Sequence, residues 1–327
     1  MLDGTALGSR ISLGDSVTFN NITLKFTEDS YLFANGHSLT INESITMTNR
    51  IRVYGGGHEG STVASTDLKI YGGSYEGIFG GSHGGTVTGD TNVIVGGNVN
   101  EGITPKHDSG LAYFVYGGGS ADTVKGKTNV TFGGDAKAHY VFGGSYGKSA
   151  IVEKGTEVRI EGGRISGVYG GGKKSDSGQS GTITGGTHVV MTGGKVDQVF
   201  GANEASDLTG DVKVEILGGT VTRRIYGGCY NDYKLLGGWS TKYSVNGTIT
   251  LILSGNATLD QSYDGDDYHG DDLSVFARSR RNPVSNDEVS VLIYVDDGEN
   301  QHVSKLGAHD DNGIMSGVTA YDSCTTQ

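Results

Sequence analysis

The sequence predicts an all-β protein: a parallel β-solenoid with about 26 residues and three short strands per coil. Three observations predict it. A phrase of an aliphatic residue, an aromatic residue and glycine recurs seven times along the chain. A second phrase, two apolar residues at i and i+2 followed by glycine, is interleaved with the first. Glycine is abundant, at 58 of 327 residues, while proline is nearly absent, at 2.

The first phrase reads VYGGG from Val53, IFGGS from Ile78, VYGGG from Val115, VFGGS from Val141, VYGGG from Val168, VFGAN from Val199 and IYGGC from Ile225. Its aromatic residues are Tyr54, Phe79, Tyr116, Phe142, Tyr169, Phe200 and Tyr226, with steps of 25, 37, 26, 27, 31 and 26. The second phrase places Leu68/Ile70, Val93/Val95, Val130/Phe132, Val158/Ile160, Val189/Met191 and Val214/Ile216 two residues apart. That spacing puts both side chains on one face of a strand. A third, weaker phrase reads TVTG from Thr86, TVKG from Thr123, TITG from Thr182 and DLTG from Asp207. Three strands per period, each stacked ~4.8 Å from its copy in the next coil, make a solenoid. Glycine suits the corners, where positive φ is needed or where coils approach closely. A helical reading fails, because glycine costs about 1 kcal/mol per site relative to alanine.

The repeat region spans 52–259. Residues 1–51 read as opening coils or a cap over an otherwise open strand edge, with FANGHSLTINESITM at Phe33–Met47 as one such coil. Residues 260–327 depart from the repeat and read as further coils or a cap with acidic loops, although EVSVLIYVDD from Glu288 keeps a strand pattern. Irregular steps place insertions within 98–113, 173–180 and 230–243.

Charge and motifs narrow the function. A net charge of −12 with a pI near 5.1 repels a phosphate backbone, so no nucleic-acid partner is expected. Gly143–Ser149 ends in Gly-Lys-Ser, like a phosphate-cradling loop. The position of the loop's first glycine holds Phe142, however, and no helical pattern follows. Two cysteines, Cys229 and Cys324, do not make a disulfide framework; one bridge and two free thiols are equally consistent. No stretch approaches the ~18 apolar residues of a membrane span. MLDGTALGSR lacks the layout of a secretory leader, so the chain reads as a piece of a larger protein.

A coil of this length with three strands resembles the right-handed parallel β-helix, the pectate-lyase-like architecture. The succession GGxV, VYGGG, GTVTG is similar to the glycine-rich repeat regions of adhesin-like bacterial surface proteins. The resemblance covers about Arg52–Leu259. It implies right-handed winding, an extracellular place at the bacterial cell surface within a larger surface protein, and glycan or host contact. It supplies no catalytic residue.

Candidate sites lie on inserted loops and outward ladders. The loop YNDYKLLGGWSTKY holds the only tryptophan, Trp239, with Tyr230, Tyr233 and Tyr243; flat rings with polar edges suit a sugar, or pack the loop onto the coil. The aromatic column, including Tyr116, Tyr169 and Tyr226, forms either an exposed ladder lining a glycan groove or a self-stacking ladder that stiffens the solenoid. The run YDGDDYHGDD brings Asp264, Asp266, Asp267, Asp271 and Asp272 together, a carboxylate set suited to Ca²⁺ or a solvated acidic loop. His58 and His83, 25 residues apart, sit on adjacent coils just after the glycine turn.

The functional expectation is a non-catalytic segment that binds glycans or host-surface ligands. The alternative is a polysaccharide lyase or glycoside hydrolase, with paired carboxylates from the acidic run, and Arg278, Arg280 and Arg281 nearby. A structural stalk is the third reading.

Overall fold

The computed structural model describes residues 10–105, 113–175, 178–230 and 243–259 in full, and the backbones of Lys234–Leu235, Gly238–Trp239, Ser274–Phe276, Ser290–Val295 and Val318–Asp322. Among these residues every regular element is a strand, and the strands wind into a parallel solenoid with three faces.

The valine face begins at Val17–Phe19 and passes through Ser38–Ile41, Thr66–Ile70, Thr91–Val95 and Thr128–Phe132. The first halves of Thr156–Tyr169, Thr187–Phe200 and Val212–Tyr226 carry it on, followed by Thr248–Leu259, Ser290–Val295 and Val318–Asp322. The aromatic face stacks Arg10–Ser12, Tyr31–Phe33, Ile51–Tyr54, Tyr75–Phe79, Phe114–Tyr116 and Lys137–Phe142. It continues through the second halves of the same long strands to Ser274–Phe276. The short face, built from the third phrase, stacks Thr62–Val63, Thr86–Val87, Thr123–Val124, Ile151–Val152 and Thr182–Ile183. All these pairings are parallel. Parallel pairing thus extends beyond 52–259 on both sides, to Arg10 and to Asp322. The strand expected from Glu288 onward is Ser290–Val295.

The interior is a column of fully buried aliphatic residues from all three faces, such as Val53, Val87, Val93, Val124, Val130, Val141 and Val158. Burying such a side chain contributes about 1.5–3 kcal/mol. The outer side of the valine face is polar and self-paired. Lys127 and Arg159 hold Glu157, and Lys213 and His188 hold Glu215. Asn129 donates to the Asn92 side chain at 3.2 Å.

The glycine pairs serve two different ends. Where the valine face turns toward the aromatic face, the second glycine of the pair has positive φ, as at Gly163 (+80°). Where the aromatic face ends, the first glycine has no such φ, and close approach makes it necessary. A Cβ on Gly117 would lie 2.1 Å from the Gly143 carbonyl oxygen of the next coil. The same contact recurs from Gly80 to Gly117, Gly143 to Gly170 and Gly170 to Gly201, at 2.0–2.2 Å.

A threonine opening five successive valine-face strands locks this corner. Thr66, Thr91, Thr128, Thr156 and Thr187 are buried, and each hydroxyl donates to the carbonyl of such a glycine, at 2.5–2.7 Å. The pairing is with Gly80, Gly117, Gly143, Gly170 and Gly201 in turn.

The corner also alternates between coils. Its third residue runs Gly57, Ser82, Gly119, Ser145, Gly172, Asn203. The polar members reach over the second glycine of the preceding coil: a Cβ on Gly56, Gly118 or Gly171 would meet Ser82 Oγ, Ser145 Oγ or Asn203 Oδ1 at 2.0–2.1 Å. The aromatic column alternates in step, with Tyr54, Tyr116 and Tyr169 ahead of glycine, and Phe79, Phe142 and Phe200 ahead of Ser82, Ser145 and Asn203.

Candidate functional site

Strand alternation turns the aromatic column away from the aliphatic core, as its place one residue after Val53, Ile78 and Val115 requires. The column is nevertheless buried. Phe33, Tyr54, Phe79, Tyr116, Phe142, Tyr169, Phe200 and Tyr226 form a second core, separate from the first. Successive rings from Phe33 to Tyr226 stack with centroids 4.4–5.3 Å apart and planes within 22°. Corners fold back over the edge of a ring in the coil before. His58 packs edge-on to Phe33, His83 to Tyr54, Tyr146 to Tyr116 and Tyr230 to Phe200.

The ladder is therefore self-stacking, and the exposed version of it is not what forms. Both ring faces of Tyr116 and Tyr169 are occupied by neighbouring rings, Tyr226 stacks on Phe200, and the three residues are only 1–3 % exposed. Burial pushes the Tyr116 phenol well above its ordinary range. Tyr230 closes the ladder from the side, and Tyr243 packs against the main core. His58 and His83 each cap a ring. Trp239 belongs to the hairpin of Lys234–Leu235 with Gly238–Trp239, the one antiparallel pair among the described residues. Its side chain, Tyr233 and the acidic residues Asp264, Asp266, Asp267, Asp271 and Asp272 lie outside the described residues, as does Cys324; Cys229 is buried, and its sulfur donates to the Ser206 carbonyl at 3.4 Å. Among the described residues no three His, Cys, Asp or Glu side chains converge as a metal site, and no helix is long and apolar enough to cross a membrane.

Two residues earlier on the same strands lies a second outward row: Tyr31, Arg52, Gly77, Phe114 and Tyr140. Its aromatic members are half-buried, as are Tyr113 and Tyr146 beside them. Three cations sit over these rings. Arg50 lies 5.2 Å from the Tyr113 centroid, Arg52 5.4 Å from Tyr31, and Lys173 5.2 Å from Phe114. Arg50 Nη1 also donates to the Tyr113 hydroxyl at 2.9 Å, and Arg52 Nη1 to the Tyr31 hydroxyl at 2.7 Å. Arg52 is further bound to Glu76. Burial works against the Arg52 charge, but the Glu76 hydrogen bond and charge, with smaller help from Tyr31 and Tyr54, together outweigh it and raise the guanidinium pKa.

The insertion within 98–113 shapes this strip. Its strand starts late, at Phe114, and the Asn100 amide fills the vacated place. Asn100 Oδ1 accepts from the Tyr75 N–H at 2.8 Å, and Nδ2 donates to the Lys137 carbonyl at 3.1 Å. Sequence reasoning missed the strip because its row does not repeat. The available signal was an aromatic residue two positions before the aromatic column, at Tyr31, Phe114 and Tyr140. Half-exposed rings beside guanidinium donors and a carboxylate offer apolar faces and polar handles together. Compared with protein-family models, curated proteins and solved structures, the chain matches none of them.

Proposed function

We propose that this chain is a non-catalytic binding segment of an adhesin-like bacterial surface protein, extracellular and presenting a rigid solenoid to glycans. One observation carries the reading: the strip Tyr31, Arg52, Phe114, Tyr140 and Tyr146, where half-buried rings, cations and Glu76 share one side of the aromatic face. Sugar rings stack on such faces while their hydroxyls bond to the flanking charged groups. Trp239 and Tyr233 belong to a second candidate surface, and the acidic run Asp264–Asp272 to a proposed Ca²⁺ site.

The test is a glycan array with purified protein, with and without Ca²⁺, joined to reducing-end and unsaturated-uronate assays on each hit. Binding without product that falls about three- to tenfold in Tyr140→Ala and in Phe114→Ala, the equivalent of one stacking contact, is the expected result. Loss in Trp239→Ala alone moves the site to the hairpin. Product formation favours a lyase or hydrolase. Absence of both leaves the stalk, which the continuous buried ring stack also suits.

A further inference from the structure

Asp122 sits in the corner between the aromatic and short faces and is only 1 % exposed. Its carboxylate joins three consecutive coils. Oδ2 accepts from the Ser82 backbone N–H of the coil before at 3.1 Å, and Oδ1 accepts from Ser145 Oγ of the coil after at 2.9 Å. Backbone bonds from Gly119 and from Asp122 itself complete the cradle. Glycine makes the space, since a Cβ on Gly81 or Gly119 would fall 2.0 or 2.5 Å from Oδ2. Among the described residues no cation pairs with this carboxylate.

Both protonation states can satisfy their hydrogen bonds. When Asp122 is neutral, its O–H can donate to Ser145 Oγ, whose own hydrogen is free to rotate, while Ser82 N–H keeps its acceptor. When it is ionised, the same contacts remain, but a charge is buried without a counter-ion. The titratable groups around it give no relief. Tyr54, two coils before, brings no counter-charge: burial, with the Asp122 charge as a lesser cause, pushes its phenol up and keeps it neutral. His83, next to Ser82, turns its ring onto Tyr54 and Tyr31, and Tyr146, next to Ser145, turns onto Tyr116.

We propose that Asp122 is a proton-operated latch on this corner, closed when the carboxyl is protonated and loosened when it ionises. The latch does not depend on the glycan reading. Opening it would free Ser82–His83 and Ser145–Tyr146, and so the caps over Tyr54 and Tyr116.

Burial pushes the carboxyl from its ordinary 3.8 up to about 6, against the hydrogen bonds that favour the charge. A raised pKa in the folded state stabilises the closed corner fully below the unfolded value. That stability is lost as pH rises through the folded one. The loss falls between 3.8 and about 6. Across that interval the opening equilibrium should rise about a hundredfold.

Hydrogen exchange, corrected for the intrinsic pH dependence, measures this at the corner amides of His83, Ser120, Ala121 and Tyr146, all bonded between coils. The fold supplies its own control. Two corners on, the N–H of Gly172, the counterpart of Gly119, is accepted at 2.8 Å by Asn203, which stands in the place of Ser145 and has no charge to titrate. The expected result is a steep pH dependence at the Asp122 corner, none at the Asn203 corner, and none at either in Asp122→Asn. Ser145→Ala, which removes a donor to the charged form, should move the midpoint upward, and it serves if Asp122→Asn does not fold. Equal behaviour of the two corners, or a pH dependence unchanged in these variants, would overturn the latch.

Discussion

Gly117→Ala tests the claim that coil contact, and not backbone conformation, makes the first corner glycine necessary. The added Cβ would lie 2.1 Å from the Gly143 carbonyl oxygen and 3.0 Å from Thr128 Cβ. Real Cβ contacts essentially never fall below 3.0 Å, so the two coils must part by about 1 Å here. That movement strains the bond from Gly117 N–H to the Phe142 carbonyl, 2.9 Å, and the one from Thr91 Oγ1 to the Gly117 carbonyl, 2.6 Å. Overpacking of this kind costs about 1–3 kcal/mol, and one weakened hydrogen bond about 1. The reduced entropy of the unfolded chain returns about 0.4–1 kcal/mol. A net loss of about 1–3.5 kcal/mol is expected. Gly14→Ala is the control, because nothing lies within 4 Å of its Cβ and its φ is not positive. Urea unfolding reads the difference globally, and hydrogen exchange reads it coil by coil, which matters because solenoids unfold in sections. If Gly117→Ala is as stable as Gly14→Ala, the close-approach argument is wrong for the whole glycine column.

Three further outcomes are expected. Thr128→Val removes the buried hydroxyl that donates to the Gly143 carbonyl at 2.6 Å, and should cost about 1–2 kcal/mol in chemical unfolding; no loss would show the threonine column to be incidental. Phe142→Ala opens the middle of the ring stack and should cost about 3–5 kcal/mol, with faster exchange in the coils holding Tyr116 and Tyr169. Glu157 is held below its ordinary 4.5 chiefly by the Lys127 hydrogen bond; Glu215 is also low, because Lys213 and His188 outweigh the opposing effect of burial. Their contribution is present above about pH 4.5 and fades as pH falls below it. Because both pairs are partly exposed, Glu157→Gln should cost well under 1 kcal/mol at neutral pH, and added salt should erase the difference.

The coil, its three strands and its corners were legible because each is written repeatedly. Spacing of two in Val93/Val95 or Val158/Ile160 marks a strand with one buried side, and repetition turns a weak local signal into a strong one. The burial of the aromatic column was not legible. Alternation shows that Tyr116 and Val115 point to opposite sides, but it does not show that the corner of the next coil, at Tyr146, folds back over the Tyr116 ring. That fold-back comes from the corner's path, traced by the parallel bridges His83–Ser120, Ser120–Tyr146 and Tyr146–Lys173. The strip escaped for the converse reason. Its row changes from Tyr31 to Arg52 to Gly77 to Phe114, and a search for periodicity passes over a row without a period.

The alternating corner shows how far a repeat can be read. The seven copies look like one motif with tolerated variation, GGG in some and GGS in others. In the fold the variation is complementary: Ser82 fits over Gly56 because that coil supplies no Cβ, and Ser145 fits over Gly118 for the same reason. After a serine coil the next third residue must be glycine, because a Cβ on Gly119 or Gly172 would fall 2.0 or 2.8 Å from the backbone oxygen of Ser82 or Ser145. The tyrosine and phenylalanine rings keep the same alternation from Tyr54 to Phe200. The packing unit is therefore a pair of coils, and Asp122 shows the consequence. A glycine coil's corner has room for a side chain from elsewhere in the same turn, and here that side chain is a buried carboxyl placed over Gly81 and Gly119. In a later glycine coil the N–H of Gly172, the counterpart of Gly119, is accepted by the Asn203 amide, so a neutral acceptor serves there where an ionisable one serves at Gly119.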